Sequence, residues 1–394
     1  MVSDTFRVEV GDVPAWDALQ ADWLQLQSRA EPSFFVSWTW IGRWLAHLPD
    51  RVPRYLLKVW AEGRVVGLGI ICKRNQSRRG LLRPSRCLYI NCTGDPQLDE
   101  LTIEYNGLLS EAGLEAPVLR AAISDLSRDP DWDEIALEGW SAEEIENQKP
   151  FDGLKLIHRS HRSCFHVDLK RLREDRAVYV DALSKSVQYK VRRSRRQAEQ
   201  LGVLTLDVAS DAREATEFFE ALARLHQKSW GDRGHPGSFA NQMFSDFHAS
   251  LVAMSHGDEG SVQLLRLRVG EHAVGYLYNF VFRGRVYNYQ SGFDFTYSRG
   301  AAWRPGIICH VLAIELCLGR GLDAYDFLAG NQAYKKELGT DSTRMVWATL
   351  QRRRLKFGVE AMLKSWYTAW RRVKILPTAV GYHVAMSSFP LPPS

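Results

Sequence analysis

The sequence is poor in cysteine and has no long apolar run. Its six cysteines (Cys72, Cys87, Cys92, Cys164, Cys309, Cys317) are scattered, and no two form a C-x-x-C pair. A zinc ribbon or a disulfide scaffold is therefore excluded, no metal site is expected, and reduced thiols are the simpler reading. No stretch of eighteen apolar residues occurs, so no membrane-spanning helix is expected. Met1 to Gly11 carries Asp4, Arg7 and Glu9 and no apolar core, so a cleaved leader is not expected. These absences point to a cytoplasmic chain.

What is present is the composition of a folded protein: 45% apolar and 25% charged residues in a chain of 394. That length exceeds one ordinary hydrophobic core, so two domains are expected. The net charge of +5 is unevenly spread. Lys190 to Arg196 holds five basic residues and no acid, and Arg352 to Lys374 holds eight against Glu360 alone. Such local excess suits an anionic partner, such as a nucleotide, a lipid headgroup or RNA, and it also suits a solvated helix face.

The element order repeats. In the first half an aromatic-rich helix is predicted over Phe34–Leu48, with Phe34, Phe35, Trp38, Trp40 and Trp44. Strands follow at Tyr55–Trp60, Val65–Lys73 and Arg86–Asn91, then a helix at Leu114–Leu126 and a short strand at Glu134–Leu137. In the second half the pattern predicts helices over Ala177–Gln200 and Ala212–Lys228, then a meander of Val262–Val269, Val274–Phe282 and Val286–Ser291. Its turns carry Gly270 and Gly284. A helix opens at Pro305, whose missing N–H is not needed in a first turn, and stops near Gly319. Asp323–Leu328 reads as a strand, Asn331–Leu338 as a short helix and Arg344–Leu350 as a final strand.

Asp326-Phe-Leu-Ala-Gly330-Asn-Gln-Ala-Tyr334-Lys335-Lys-Glu-Leu-Gly339 resembles the D-F-x-x-G-x-x-x-Y-K-x-x-x-G signature of CelD/BcsL-type proteins. These are acyltransferases of the GCN5-related N-acetyltransferase (GNAT) class, related to the FemAB aminoacyltransferases. The stretch from Leu225 through His226, Trp230 and Arg233 to Phe239, the basic run Arg192–Arg196 and the aromatic helix are similar to that family too. The resemblance covers about residues 30 to 350. It implies an α/β (α+β) fold of two tandem GNAT-like domains, each a mixed, mainly antiparallel sheet flanked by helices. The expected division is 1–165, structural or shaping the acceptor channel; 166–351, catalytic; and 352–394, a basic amphipathic helix with a proline-broken tail. Acyl-CoA is implied as co-substrate, with no tightly bound cofactor.

One region departs from the family pattern. GNAT enzymes cradle the pyrophosphate of coenzyme A with R/Q-x-x-G-x-G/A, whereas Tyr297 to Ile307 has the glycines and arginines without that spacing. Aminoacyl-tRNA therefore stays open as a donor.

Phosphates bind at helix N-termini, where free N–H groups and the dipole favour anions. The helix at Pro305 is the best such place, so Arg299, Gly300, Arg304, Gly306 and Ile307 are the candidate donor-binding residues, with Lys335 as an anion contact. An amine nucleophile must lose a proton before it attacks. Asp326 is a candidate base, although Asp readily caps a following loop. Tyr334 is the candidate acid for the leaving thiolate, by resemblance, and equally suits core packing. His226 is a second candidate base, since histidine titrates near neutrality. His310 reads as packing; Asp294 and Tyr289 are weaker candidates lining the cleft.

Val359, Leu363, Trp366, Trp370 and Val373 make one helical stripe among cations, followed by Tyr382, Phe389 and Leu391. That pattern suits the surface of an anionic membrane, or a helix packed on the core. The membrane alternative favours a lipid acceptor, and the first expectation is fatty acyl transfer to a sphingoid amine, as in bacterial ceramide synthesis, at the inner face of the membrane. The alternatives are acetyl transfer to a saccharide in cellulose or exopolysaccharide production, and FemAB-like aminoacyl transfer. Nucleic acid is not expected as a partner, since base-stacking aromatics are not interleaved in the basic run.

Overall fold

The computed structural model describes residues 6–77, 84–101, 103–254, 261–297 and 303–374. The first half comprises β1 (Arg7–Asp12), α1 (Trp16–Gln27), α2 (Trp38–His47), β2 (Arg54–Ala61), β3 (Arg64–Gln76), β4 (Ser85–Ile90), β5 (Leu109–Ser110), α3 (Glu115–Leu126), β6 (Glu134–Ser141) and α4 (Ala142–Glu146). The second half begins with β7 (Leu154–Asp168), α5 (Leu169–Glu174), α6 (Tyr179–Ala182), α7 (Lys185–Glu199), β8 (Leu204–Val208), α8 (Ala212–Gly231) and α9 (Gln242–Met254). It continues with β9 (Ser261–Val269), β10 (His272–Phe282), β11 (Arg285–Phe293), α10 (Pro305–Gly319), β12 (Ala324–Ala329), α11 (Ala333–Leu338), β13 (Asp341–Arg352) and α12 (Leu355–Lys374).

All the strands join one sheet, in the order β1-β2-β3-β4-β6-β13-β7-β12-β11-β10-β9-β8, with β5 paired to β3. The pairing is antiparallel except at β4–β6 and β11–β12. The last strand, β13, lies between β6 of the first half and β7 of the second. The expected domain boundaries at 165 and 351 thus fall inside β7 and β13.

The two cores also merge. Phe34 stacks on Phe280 with ring centroids 4.2 Å apart, and Trp40 packs edge-on against Phe247. The helix expected over Phe34–Leu48 is a 3₁₀ turn at Phe34–Val36 followed by α2, and its aromatic face is the seam. The helix expected over Ala177–Gln200 is two, α6 and α7, because the chain is extended at Leu183 and Ser184.

Each parallel pair is short and then splays, because two parallel strands that diverge stop sharing hydrogen bonds. In the second half the register is Arg285 with Ala324, Val286 with Tyr325 and Tyr287 with Asp326. Beyond this, β11 stays with β10 while Ala329 of β12 pairs with Cys164 of β7. In the first half the matching pairs are Cys87–Glu134, Leu88–Ile135 and Tyr89–Ala136.

There the wedge is filled by the chain itself. Asn106 bridges to Trp140; its backbone N–H donates to Gly139 and its side-chain amide to Ile90, each at 2.9 Å. Asn91 closes the plug by donating to Asn106 and to the Gly107 carbonyl.

Candidate active site

The wedge between β11 and β12 is open. It forms a cavity of about 690 Å³ lined by Asn288–Phe293 of β11, by Leu328 and Ala329 of β12, and by the residues that open α10. Tyr334 and Lys335 of α11, and His226 and Trp230 of α8, complete the wall, together with Glu100 and Glu104 from the first half. A polar ladder, Gln263 to Asn279 to Asn288, crosses the sheet at 2.9 Å per step and ends on this wall.

Pro305 sits at the start of α10, and Trp303, Arg304, Gly306 and Ile307 all line the cavity. Arg304 is exposed and has no acidic partner among the described residues, so its charge is available to an anion. The Ile307 side chain is core, so only its backbone can face a ligand. Gly306 has a packing reason as well: a Cβ there would lie 3.2 Å from the Phe293 ring. Two buried nitrogens in this wall, Trp303 Nε1 and His310 Nε2, have no hydrogen-bond partner among the described residues. Buried polar groups are normally satisfied, so these atoms fit a ligand that brings polar groups into the cavity. Arg299 and Gly300 lie outside the described residues.

Asp326 is fully buried and does not line the cavity. Its Oδ2 accepts from Arg285 at 2.9 Å and from the Tyr105 hydroxyl at 2.8 Å, and its Oδ1 accepts from the Leu328 N–H at 2.7 Å. The carboxylate thus pins the start of the loop, where Leu328 adopts a left-handed φ of 60°. Gly330 follows with φ 147°, and Lys335 Nζ donates to the Ala329 carbonyl at 2.8 Å. Lys335 is also buried, and desolvation lowers its pKa, which the negative charges of Glu104 and Asp326 oppose. The D-F-x-x-G…Y-K string therefore folds into one knot that supplies part of the cavity wall, with Asp326 behind it.

Tyr334 stands in the cavity wall with no hydrogen-bond partner for its hydroxyl among the described residues. Burial pushes its pKa up to about 12, so it keeps its proton. His310 stacks flat against its ring at 5.2 Å and itself bonds the Tyr325 hydroxyl at 3.1 Å. Desolvation drives His310 down to about 3, so it is neutral. His226 lines the cavity between Trp230 and Phe239, and burial lowers its pKa too. Asp294 lies outside the cavity wall, held by Thr296, whereas Tyr289 is half-buried and lines the cavity, with its hydroxyl donating to Leu101.

Glu104 was not legible in the sequence. It is 7% exposed, and its Oε2 accepts from the Ala329 N–H at 2.7 Å while its Oε1 has no partner among the described residues. Burial raises its pKa to about 7, against opposing pulls from that N–H and from Lys335. The structure also gathers Glu146, His158 and His161, with ligand atoms within 4.8 Å of one another. All three are exposed, and Arg344 already pairs with Glu146.

Wedge, helix N-terminus and tyrosine together line one cavity of the second half. Residues 185–336 match the family model described as Acetyltransferase (GNAT) domain, and the chain is accordingly an acyltransferase. Among solved structures, FemX aligns over 90% of this chain and 99% of its own at 10% identity, with a TM-score of 0.53. A conserved protein of unknown function from Bacteroides thetaiotaomicron aligns over 88% of this chain and 100% of its own at 10% identity, with a TM-score of 0.52. Both show the fold alone. No curated protein matches the chain.

Proposed function

We propose that the chain is an acyl-CoA-dependent N-acyltransferase whose acceptor is a long-chain lipid amine of the sphingoid type. The observation that carries the donor half is the cavity running from the α10 N-terminus to Tyr334. Phosphates would meet the first-turn N–H groups and Arg304, and the thioester would lie near the Tyr334 hydroxyl. With its proton held at neutral pH, Tyr334 is the group to protonate the departing thiolate.

The acceptor half rests on α12. Leu355, Val359, Met362, Leu363 and Trp366 are all exposed on it, in the basic segment that starts at Arg352. No helix among the described residues is long and apolar enough to cross a membrane. An amphipathic basic helix with exposed Leu, Met and Trp suits the interface of an anionic bilayer. A lipid acceptor would be met there, and a saccharide would not need it.

The test is to incubate the purified chain with palmitoyl-CoA and sphinganine, and separately with acetyl-CoA and glucosamine. An N-acyl sphinganine by mass spectrometry, with stoichiometric thiol release, is the expected result. A glucosamine product alone would move the acceptor to saccharides. No binding of CoA by calorimetry would sink the donor assignment.

A further inference from the structure

The wedge of the first half and the site of the second are linked by one short segment. Residues 103–107 run through the β4–β6 opening, where Asn106 fills the position a donor would need. The same segment carries Glu104 to the wall of the second-half cavity. Tyr105 takes a left-handed φ of 47°, a strained conformation for a non-glycine residue, and its hydroxyl ties the turn to Asp326. The backbone of Ala329 ties Glu104 from the other side.

We propose that Glu104 is the proton acceptor of the transfer reaction, so that the first half, closed as a donor site, supplies the base for the second. The proposal rests on the acyl-CoA reading above. Four observations support it. Glu104 lines the cavity and Asp326 does not. Among the described residues one carboxylate oxygen of Glu104 has no partner, whereas both oxygens of Asp326 are occupied. Among the described residues the groups facing Glu104 are Lys335, Asp326, Arg162, the Cys164 thiol and Tyr289, and Lys335 is committed to the Leu328 and Ala329 carbonyls. Glu100 lines the same cavity, so two carboxylates from the first half face it while Arg233 and Arg304 stand among the second-half residues lining it. That polarity names the acceptor class: a protonated primary amine, drawn to the carboxylates.

The bound ammonium gives one proton to Glu104 Oε1. The freed lone pair attacks the thioester carbon, forming C–N. The tetrahedral adduct collapses, breaking C–S, and the second nitrogen-bound proton reaches the thiolate through the Tyr334 hydroxyl. Glu104 then releases its proton to solvent, which is the net proton of amide formation from an ammonium.

The experiment compares the full-length wild type with Glu104→Gln and Glu104→Asp. CoA affinity is read by calorimetry, palmitoyl transfer to sphinganine and to hexadecylamine is read against pH, and the carboxyl C=O stretch is titrated by infrared. Both variants should bind CoA like the wild type. E104Q should lose about a hundredfold or more in kcat and the rise of kcat/KM through neutrality. E104D should retain part of the rate, and the wild-type carboxyl band lost near neutral pH should be missing from E104Q. E104Q turnover within about threefold of wild type overturns this proposal alone. Absence of CoA binding by the wild type overturns the donor reading and this proposal with it. If the wild type binds CoA yet acylates neither amine, the infrared titration decides: no carboxyl band that E104Q removes overturns the assignment.

Discussion

The Tyr105 hydroxyl donates a hydrogen bond to Asp326 at 2.8 Å, joining two residues 221 positions apart across the seam of the two halves. Asp326 also holds Arg285. Its charge is therefore spent on structure, and the bond places the turn that carries Glu104.

Asp326→Asn should destabilise the chain by about 2–3 kcal/mol, below the usual cost of breaking a buried pair because Arg285 keeps 38% side-chain exposure. Tyr105→Phe should cost about 1–2 kcal/mol, one hydrogen bond to a charged group. Urea unfolding measures both. An Asp326→Asn protein of wild-type stability with no turnover would restore Asp326 as the base.

Asn106→Ala removes the plug, takes the amide donor from the Ile90 carbonyl and the acceptor from the Gly107 N–H, and leaves the Asn91 amide with the Gly107 carbonyl alone. A loss of about 2–4 kcal/mol is expected. CoA affinity should hold, because the second-half wedge is untouched, while turnover falls as Glu104 drifts. Parallel calorimetry and kinetics separate the two effects; a fall in CoA affinity with intact turnover would contradict the arrangement.

Glu104 stands at about 7 in the folded protein against an ordinary 4.5. Its folded-state value is raised, so the folded state binds its proton more tightly. The stability that proton contributes is complete below pH 4.5 and is lost as pH rises through about 7. Wild type minus E104Q stability should therefore fall across that window by up to about 3 kcal/mol. Denaturation midpoints at a series of pH values check this, and a flat difference would place Glu104 in a more hydrated setting. Activity runs the opposite way, rising with pH as the carboxylate forms.

The exposed apolar face of α12 should bind phosphatidylglycerol vesicles. Replacing Met362, Leu363 and Trp366 together by Ser should weaken co-sedimentation by about tenfold or more, with melting temperature unchanged. Equal binding by both proteins would remove the membrane from the account.

Much of the second half was legible in its residues. Alternating apolar positions and the Gly270 and Gly284 turns define the β9–β10–β11 meander, and Pro305 marks where α10 begins. The D-F-x-x-G…Y-K string does fold against the cavity, although its aspartate serves the loop. Three things were not legible, each for a physical reason. β7 carries Lys155, His158, Arg159, His161 and Arg162, because much of its surface is exposed, and so lacks strand periodicity. The place of β13 between the halves depends on long-range pairing that no local pattern records. Glu104 sits in a loop with no motif; the one clue is an acid between Ile103 and Tyr105 in the run Leu101-Thr-Ile-Glu-Tyr-Asn-Gly-Leu-Leu. The break at Ser184 had a signal, since serine favours a helix start, but the apolar period carried straight through it.

The most direct measurement is a crystal structure of the full chain with coenzyme A. The account predicts one molecule in the second-half wedge, its pyrophosphate on the first turn of α10 beside Arg304 and its sulfur roughly 3–4 Å from the Tyr334 hydroxyl. Coenzyme A in the first-half wedge with Asn106 displaced, or bound away from α10, would contradict it.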